Sequence, residues 1–202
     1  VIGWLGLLAA YLIGAIPFGF LLVRMMTGQD VRTAGSGNIG ATNVLRTTGR
    51  MAGVLTLILD IAKGYFAVWL VWRLTHGEVV WTSSAAIAVI AGHAFPVFLK
   101  FRGGKAVASF IGAFAFLTPA PLLAVLLVFV AVVWATRFIS LGSITAAGTF
   151  PLAVWLIDHP AWPLEAAAVV SGLFIVYRHR SNLSRLHAGT ENVFRFSGKR
   201  RR

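Results

Sequence analysis

Three polar islands interrupt an otherwise apolar chain, and their residue types suit the handling of phosphate. The first covers residues 35–50 and reads Gly-Ser-Gly-Asn-Ile-Gly-Ala-Thr-Asn-Val-Leu-Arg-Thr-Thr-Gly-Arg. Gly35, Gly37 and Gly40 let the backbone turn tightly and offer N–H groups to an anion. Ser36, Asn38, Thr42 and Asn43 add small hydroxyl and amide groups. Asn38, Thr42, Arg46 and Arg50 recur every four residues. On one helix they would form a cationic stripe. The second island, 92–105, contains His93 and ends in Gly103-Gly104-Lys105. A glycine turn that opens a helix favours an anion, and Lys105 adds a full charge. A nucleotide loop is not supported, because the upstream glycine spacing is absent and Ala106 replaces Ser/Thr. In the third island His179, Asn182 and Arg185 are three apart and share a face if the last helix continues. Glu191, Asn192 and Arg195 follow, and Glu191 reads as an ion-pair partner that orients an arginine.

Each island also has a plainer reading. The first suits an interfacial helix held by lipid headgroups, the second a basic loop, and the third a solvated basic end. His93 is either a buried, hydrogen-bonded histidine or a catalyst. Asp60 and Lys63 lie one helical turn apart inside an apolar segment, where charges are expensive and face a polar cavity. They read as a self-neutralising pair, or as support for the phosphate-binding arginines if they lie near them.

Several chemistries drop out. There is no cysteine, and the five histidines form no H-E-x-x-H pattern. The acids are too few for a carboxylate metal cage, so no metal is expected. No G-x-S-x-G elbow is present. No histidine is followed five positions later by aspartate, so a His-x4-Asp acyl-transfer pattern is missing.

The elements that carry these islands must be membrane helices. The 202 residues are 58% hydrophobic and 12% charged, against roughly 25% charged in soluble domains. The expected fold is an all-α integral membrane protein in one domain, 1–202, working as a monomer. The net charge of +12 fits positive-inside topology and anionic lipids or phosphates, with no nucleic acid. Seven apolar segments are expected at 2–26, 52–72, 84–98, 107–117, 122–135, 139–157 and 164–177. The first reads as a span instead of a signal peptide, for want of a basic leader. Pro17 predicts a kink within it. Thr118-Pro-Ala-Pro predicts a turn, which makes seven spans where a continuous helix would make six. Charge agrees: with seven spans, 24–50, 100–105, Arg137 and the basic tail 178–202 all share the cytoplasmic side. The N-terminus is then outside and the glycine-rich loops are cytoplasmic.

In this order, residues 35–50, Asp60-Ile-Ala-Lys63-Gly, 92–105 and Glu191-Asn192-Val-Phe-Arg195-Phe resemble the bacterial acyl-phosphate:glycerol-3-phosphate acyltransferase family. The likeness covers nearly the whole chain. Ala106-Val-Ala stands where the family pattern has Gly-Val-Ala, a mild departure. The resemblance implies a bacterial inner-membrane enzyme of phospholipid synthesis, without cofactor. It would move a fatty acyl group from acyl phosphate to the 1-hydroxyl of glycerol 3-phosphate, giving lysophosphatidic acid and phosphate. Ser36, Arg46, Lys105, His179 and Asn182 would then bind glycerol 3-phosphate. The 35–42 backbone with Asn38, Thr42 and Asn43 would hold the acyl phosphate, and the two assignments are exchangeable. Arg50, Gly103, Gly104, Arg185, Glu191, Asn192 and Arg195 would complete the phosphate-binding set. The hydroxyl proton would pass to the acyl phosphate, or to His93 or His179. A small transporter of a phosphorylated metabolite is the alternative, though no internal repeat supports it. A non-catalytic headgroup-binding protein is the third reading.

Overall fold

The computed structural model describes residues 1–194. Arg195 and the remaining basic tail lie outside the described residues. Among those described there is no strand, and ten α-helices follow one another. Helices α1 (Ile2–Ala15) and α2 (Phe18–Thr27) together make the first apolar run, and α3 (Ala41–Thr47) belongs to the first island. Then come α4 (Arg50–Leu74), α5 (Val79–Ala94), α6 (Val107–Leu117) and α7 (Pro119–Thr136). The last three are α8 (Ile139–Asp158), α9 (Trp162–Arg178) and α10 (Arg180–His187).

Five helical runs are long and apolar enough to cross a membrane: Ile2–Thr27, α4, Val79–Leu99, α7 and α8. Helix α6 has 11 residues and α9 has 17, short of the roughly 20 a full span needs. The outer faces of α4, α7 and α8 carry exposed Ile58, Leu127, Trp134 and Trp155. Such surfaces suit lipid as solvent, and helices keep their backbone polar groups paired there.

Both expected interruptions have local causes. Pro17 has no N–H to donate, so α1 ends and Ile16 turns extended at φ −63°, ψ 114°. Between α6 and α7 the break falls at Thr118, φ −146°, ψ 71°. Pro119 and Pro121 sit in the first turn of α7, where missing N–H groups cost little. The four-residue stripe of the first island is not one helix. Asn38 precedes α3, Gly49 takes φ +121°, and Arg50 opens α4.

Helices approach closely where glycine removes the side chain. A Cβ at Gly14 or Gly92 would collide with the backbone of the partner helix in the α1–α5 contact, and one at Gly64 or Gly112 in the α4–α6 contact. Small residues at such crossings let backbones meet. Phe110, Phe114 and Phe150 fill the centre with ring centroids 4.7–4.8 Å apart. This packing fixes the ends of α5, α6 and α9, where the polar islands sit.

Candidate active site

Asn43 organises the glycine-rich loop. It is buried, and its Oδ1 accepts the Ser36 N–H at 2.8 Å. Its Nδ2 donates to the carbonyls of Asn38 at 2.8 Å and Ala34 at 3.1 Å. Asn38 Oδ1 accepts the Gly40 N–H at 2.8 Å. Gly35 and Gly37 supply the left-handed conformations, φ +60° and +70°. Asn43 is therefore occupied in shaping the loop, while Ser36, Thr42 and Arg46 remain exposed.

The second island folds back onto α5. Gly103 N–H donates to Ala94 O and Gly104 N–H to His93 O, both at 3.2 Å. Those two N–H groups are thus not free for phosphate, and the turn contributes its shape and Lys105. Arg178 fastens it from the other side, with Nη2 donating to Gly104 O at 2.9 Å and Gly103 O at 3.3 Å. Its guanidinium lies 5.1 Å from the centre of the Phe95 ring. Arg178 was expected among the solvated basic residues. Only its place at the end of an apolar helix, beside His179, signals otherwise.

The third island closes the cluster. Lys105 Nζ donates to Asn182 Oδ1. Asn182 Nδ2 donates to Glu191 Oε1 at 2.8 Å, and Arg185 Nε to Glu191 Oε2 at 2.8 Å. Ser140 Oγ, which no sequence pattern singled out, donates to Glu191 Oε1 at 3.1 Å. Burial works to raise the Glu191 carboxyl, but hydrogen bonds from Asn182, Arg185 and Ser140 hold it below its ordinary value. Glu191 is an orienting ion-pair partner.

Burial, with the charges of Arg185, Arg178 and Arg46, lowers Lys105 to about 8 against the pull of Glu191. Four cations thus converge against one carboxylate, a field that favours a multiply charged anion. Burial and the Lys105 charge lower His179 to about 4, so it is neutral at pH 7. His179 Nδ1 lies 2.8 Å from Ile175 O. A carbonyl only accepts, so Nδ1 carries the proton and Nε2 the lone pair.

Other expected residues lie elsewhere. Asp60, Lys63 and His93 are buried deeper, with Lys63 Nζ 2.8 Å from Asp60 Oδ1 and bonded to Ile16 O at 2.7 Å. They form their own cluster, with no hydrogen bond or ion pair to Arg46, Arg50, Arg178 or Arg185. His93 Nδ1 meets Ser109 Oγ at 3.0 Å, and its Nε2 lies against Gly104. Arg50 and Asn192 are exposed and outside the bonded cluster of Lys105, Asn182, Glu191 and Arg185. Among the described residues no group of histidines and carboxylates is arranged to hold a metal. A cavity of about 560 Å³ opens beside the loops, lined by Arg32, Gly37, Arg102, Gly103 and Arg178 among others. An apolar slot of about 300 Å³ lies between the start of α2 and residues Phe98 and Leu99.

Comparison with known proteins matches residues 4–189 to the family model described as glycerol-3-phosphate acyltransferase. A glycerol-3-phosphate acyltransferase of Geotalea daltonii is 44% identical over 94% of this chain and 96% of its own. One of Syntrophotalea carbinolica is 46% identical over the same shares. Crystal structures of PlsY (YgiH), an integral membrane glycerol 3-phosphate acyltransferase, superpose closely. The glycerol 3-phosphate form has a TM-score of 0.90 and 35% identity over 96% of both chains. The lysophosphatidic acid form has a TM-score of 0.87 and 34% identity over 96% of this chain and 95% of that one.

Proposed function

The chain belongs to the glycerol-3-phosphate acyltransferase family, and on that premise we propose how its site transfers the acyl group from acyl phosphate to glycerol 3-phosphate. The transporter and headgroup-binding readings fall, because the relatives are acyltransferases. The observation that carries the mechanism is the chain Lys105–Asn182–Glu191–Arg185, with Arg46 and Arg178 close by. Glu191 fixes Asn182 and Arg185, and Asn182 fixes Lys105. Lys105, Arg46 and Ser36 bind the phosphate of glycerol 3-phosphate. The second phosphate, that of the donor, sits against the glycine-rich loop and Thr42, with the acyl chain in the apolar slot beside α2.

Transfer needs no protein nucleophile, since acyl phosphate is already activated. The hydroxyl oxygen attacks the acyl carbon, the carbon–oxygen bond to phosphate breaks, and the hydroxyl proton leaves with the phosphate as HPO₄²⁻. His179 Nε2 accepts a hydrogen bond from the hydroxyl and orients it. A histidine lowered to about 4 holds a proton weakly. The donor phosphate gains negative charge as its bond to the acyl carbon breaks, so it is the better acceptor. The cations stabilise the charge that grows on the carbonyl oxygen and the departing phosphate.

The seven-span arrangement supports this chemistry. Helix α6 reaches inward from Lys105 and α7 returns to Arg137, so the polar loops share the cytoplasmic face of the bacterial inner membrane, with the N-terminus outside. One chain supplies the proposed site, so the monomer suffices. Purified protein given acyl phosphate and glycerol 3-phosphate is expected to release phosphate and form lysophosphatidic acid only with both present. Release with acyl phosphate alone, at the same rate, refutes the transfer.

A further inference from the structure

The buried Asp60–Lys63 pair makes no bond to the cations of the candidate site, yet it meets the break before α2 at Ile16, His93 on α5 and Ser109 on α6. Lys63 reaches from α4 to the break in the first membrane run. Ile16 O, left by the end of α1, accepts Lys63 Nζ at 2.7 Å as well as Phe18 N–H at 3.2 Å. Asp60 Oδ1 anchors that ammonium at 2.8 Å, and both side chains are almost wholly buried, 2% and 3% exposed. Immediately beyond the break, α2 brings Gly19 so near Ile39 O that a Cβ there would collide. Ile39 lies within the glycine-rich loop.

The same cluster extends under the other phosphate loop. Ser109 Oγ donates to Asp60 O at 3.2 Å and therefore accepts His93 Nδ1–H at 3.0 Å. His93 Nε2 then lies against Gly104, where a Cβ would collide with it and would come within 3.5 Å of Asn38 Oδ1. Gly104 N–H is bonded to His93 O. One buried polar group thus backs α2, the glycine-rich loop and the Gly103-Gly104 turn. Burial of such a pair is weak evidence of stabilisation, because apolar residues of similar volume are often as good or better. Its directional bonds do what apolar packing does not: they fix one carbonyl and one imidazole in place.

We propose that Lys63, anchored by Asp60, is a positioning residue for acyl transfer that holds the break before α2, while Ser109 and His93 hold the Gly103-Gly104 turn, so that the two phosphate loops keep a fixed separation. The proposal rests on the acyl-transfer reading above and adds what keeps its parts in register.

The test compares the parent with the double variant Asp60→Asn/Lys63→Met, which leaves no isolated buried charge, and with Ser109→Ala, which only deletes a hydroxyl. Thermal unfolding in detergent, kcat, and KM for both substrates are measured. The double variant is expected to unfold near the parent's temperature and, because Lys105 and Arg46 keep their charges, to change KM for glycerol 3-phosphate by less than it changes kcat. Its kcat is expected to fall about 30- to 100-fold, the size of a misplacement near 1 Å. A double variant with parental kcat overturns the proposal, as does a kcat that falls only in step with lost folded protein. If the double variant does not insert, Ser109→Ala decides: kcat lowered about tenfold at unchanged KM supports positioning, and parental kcat overturns it. An inactive parent refutes the acyl-transfer reading itself, and is thereby distinguished from an active parent whose variants are equally active.

Discussion

Lys105 and His179 share one patch but titrate for opposite uses. Lys105 is charged below about 8 and neutral above it, because its folded pKa is lowered. Attraction for a phosphate dianion is therefore present below about 8 and lost as pH rises through it. kcat/KM for glycerol 3-phosphate, which reports the free enzyme, is expected to fall on that alkaline limb. Lys105→Arg should move the limb upward, since guanidinium stays charged, and an unmoved limb assigns the titration to another group. Lys105→Ala and Arg46→Ala are each expected to lower kcat/KM about 100-fold or more in protein that still inserts, as loss of a charge-assisted clamp does. His179, lowered to about 4, is already neutral throughout the working range. His179→Gln should reduce kcat without shifting the acid limb of the profile. A limb near 6.5 that disappears in the variant would make His179 the proton acceptor.

At the scale of elements, loops and helix ends do the positioning. Asn43→Ala would leave the Ser36 N–H and the Asn38 carbonyl without their side-chain partner, while Ala34 O keeps the Gly37 N–H. A hydrogen bond of this kind contributes about 1 kcal/mol net, so the variant should unfold at a lower temperature and, with the loop unshaped, bind donor poorly. Gly103→Ala places a methyl against the His93 and Ala94 carbonyls, and Gly104→Ala one against His93 Nε2, so both are expected to lose activity, Gly103→Ala at least as much because backbone cannot move aside as a side chain can. The islands were legible in the sequence because Gly, Ser, Asn and Arg stand out against apolar helices. The roles within them were less so. Asn38, Thr42, Arg46 and Arg50 have helical spacing, but Gly49 at φ +121° cuts the helix between them. Gly103 and Gly104 have the composition of an anion loop, yet their N–H groups are taken by the end of α5. Arg178 reads as one more basic tail residue, and only folding brings it onto carbonyls 74 and 75 positions away.

Across the whole molecule, apolar runs gave away the helices and Pro17 gave away the first break. Span count is harder to read, since α6 and α9 are shorter than the bilayer core and are packed among longer neighbours. The chain has no cysteine, so single-cysteine variants report topology directly. Thr48→Cys and His187→Cys are expected to label from the cytoplasmic side, and Glu78→Cys and Asp158→Cys from outside. Labelling of His187→Cys and Asp158→Cys from the same side would remove the seven-span arrangement. The central claim is direct transfer between two phosphates held by one cluster of cations. It is tested most directly by isotope exchange: the purified enzyme is given acyl phosphate and radiolabelled inorganic phosphate without glycerol 3-phosphate. Direct transfer gives no label in acyl phosphate, whereas an acyl-enzyme would return its acyl group to labelled phosphate, and the appearance of label in the donor would contradict it.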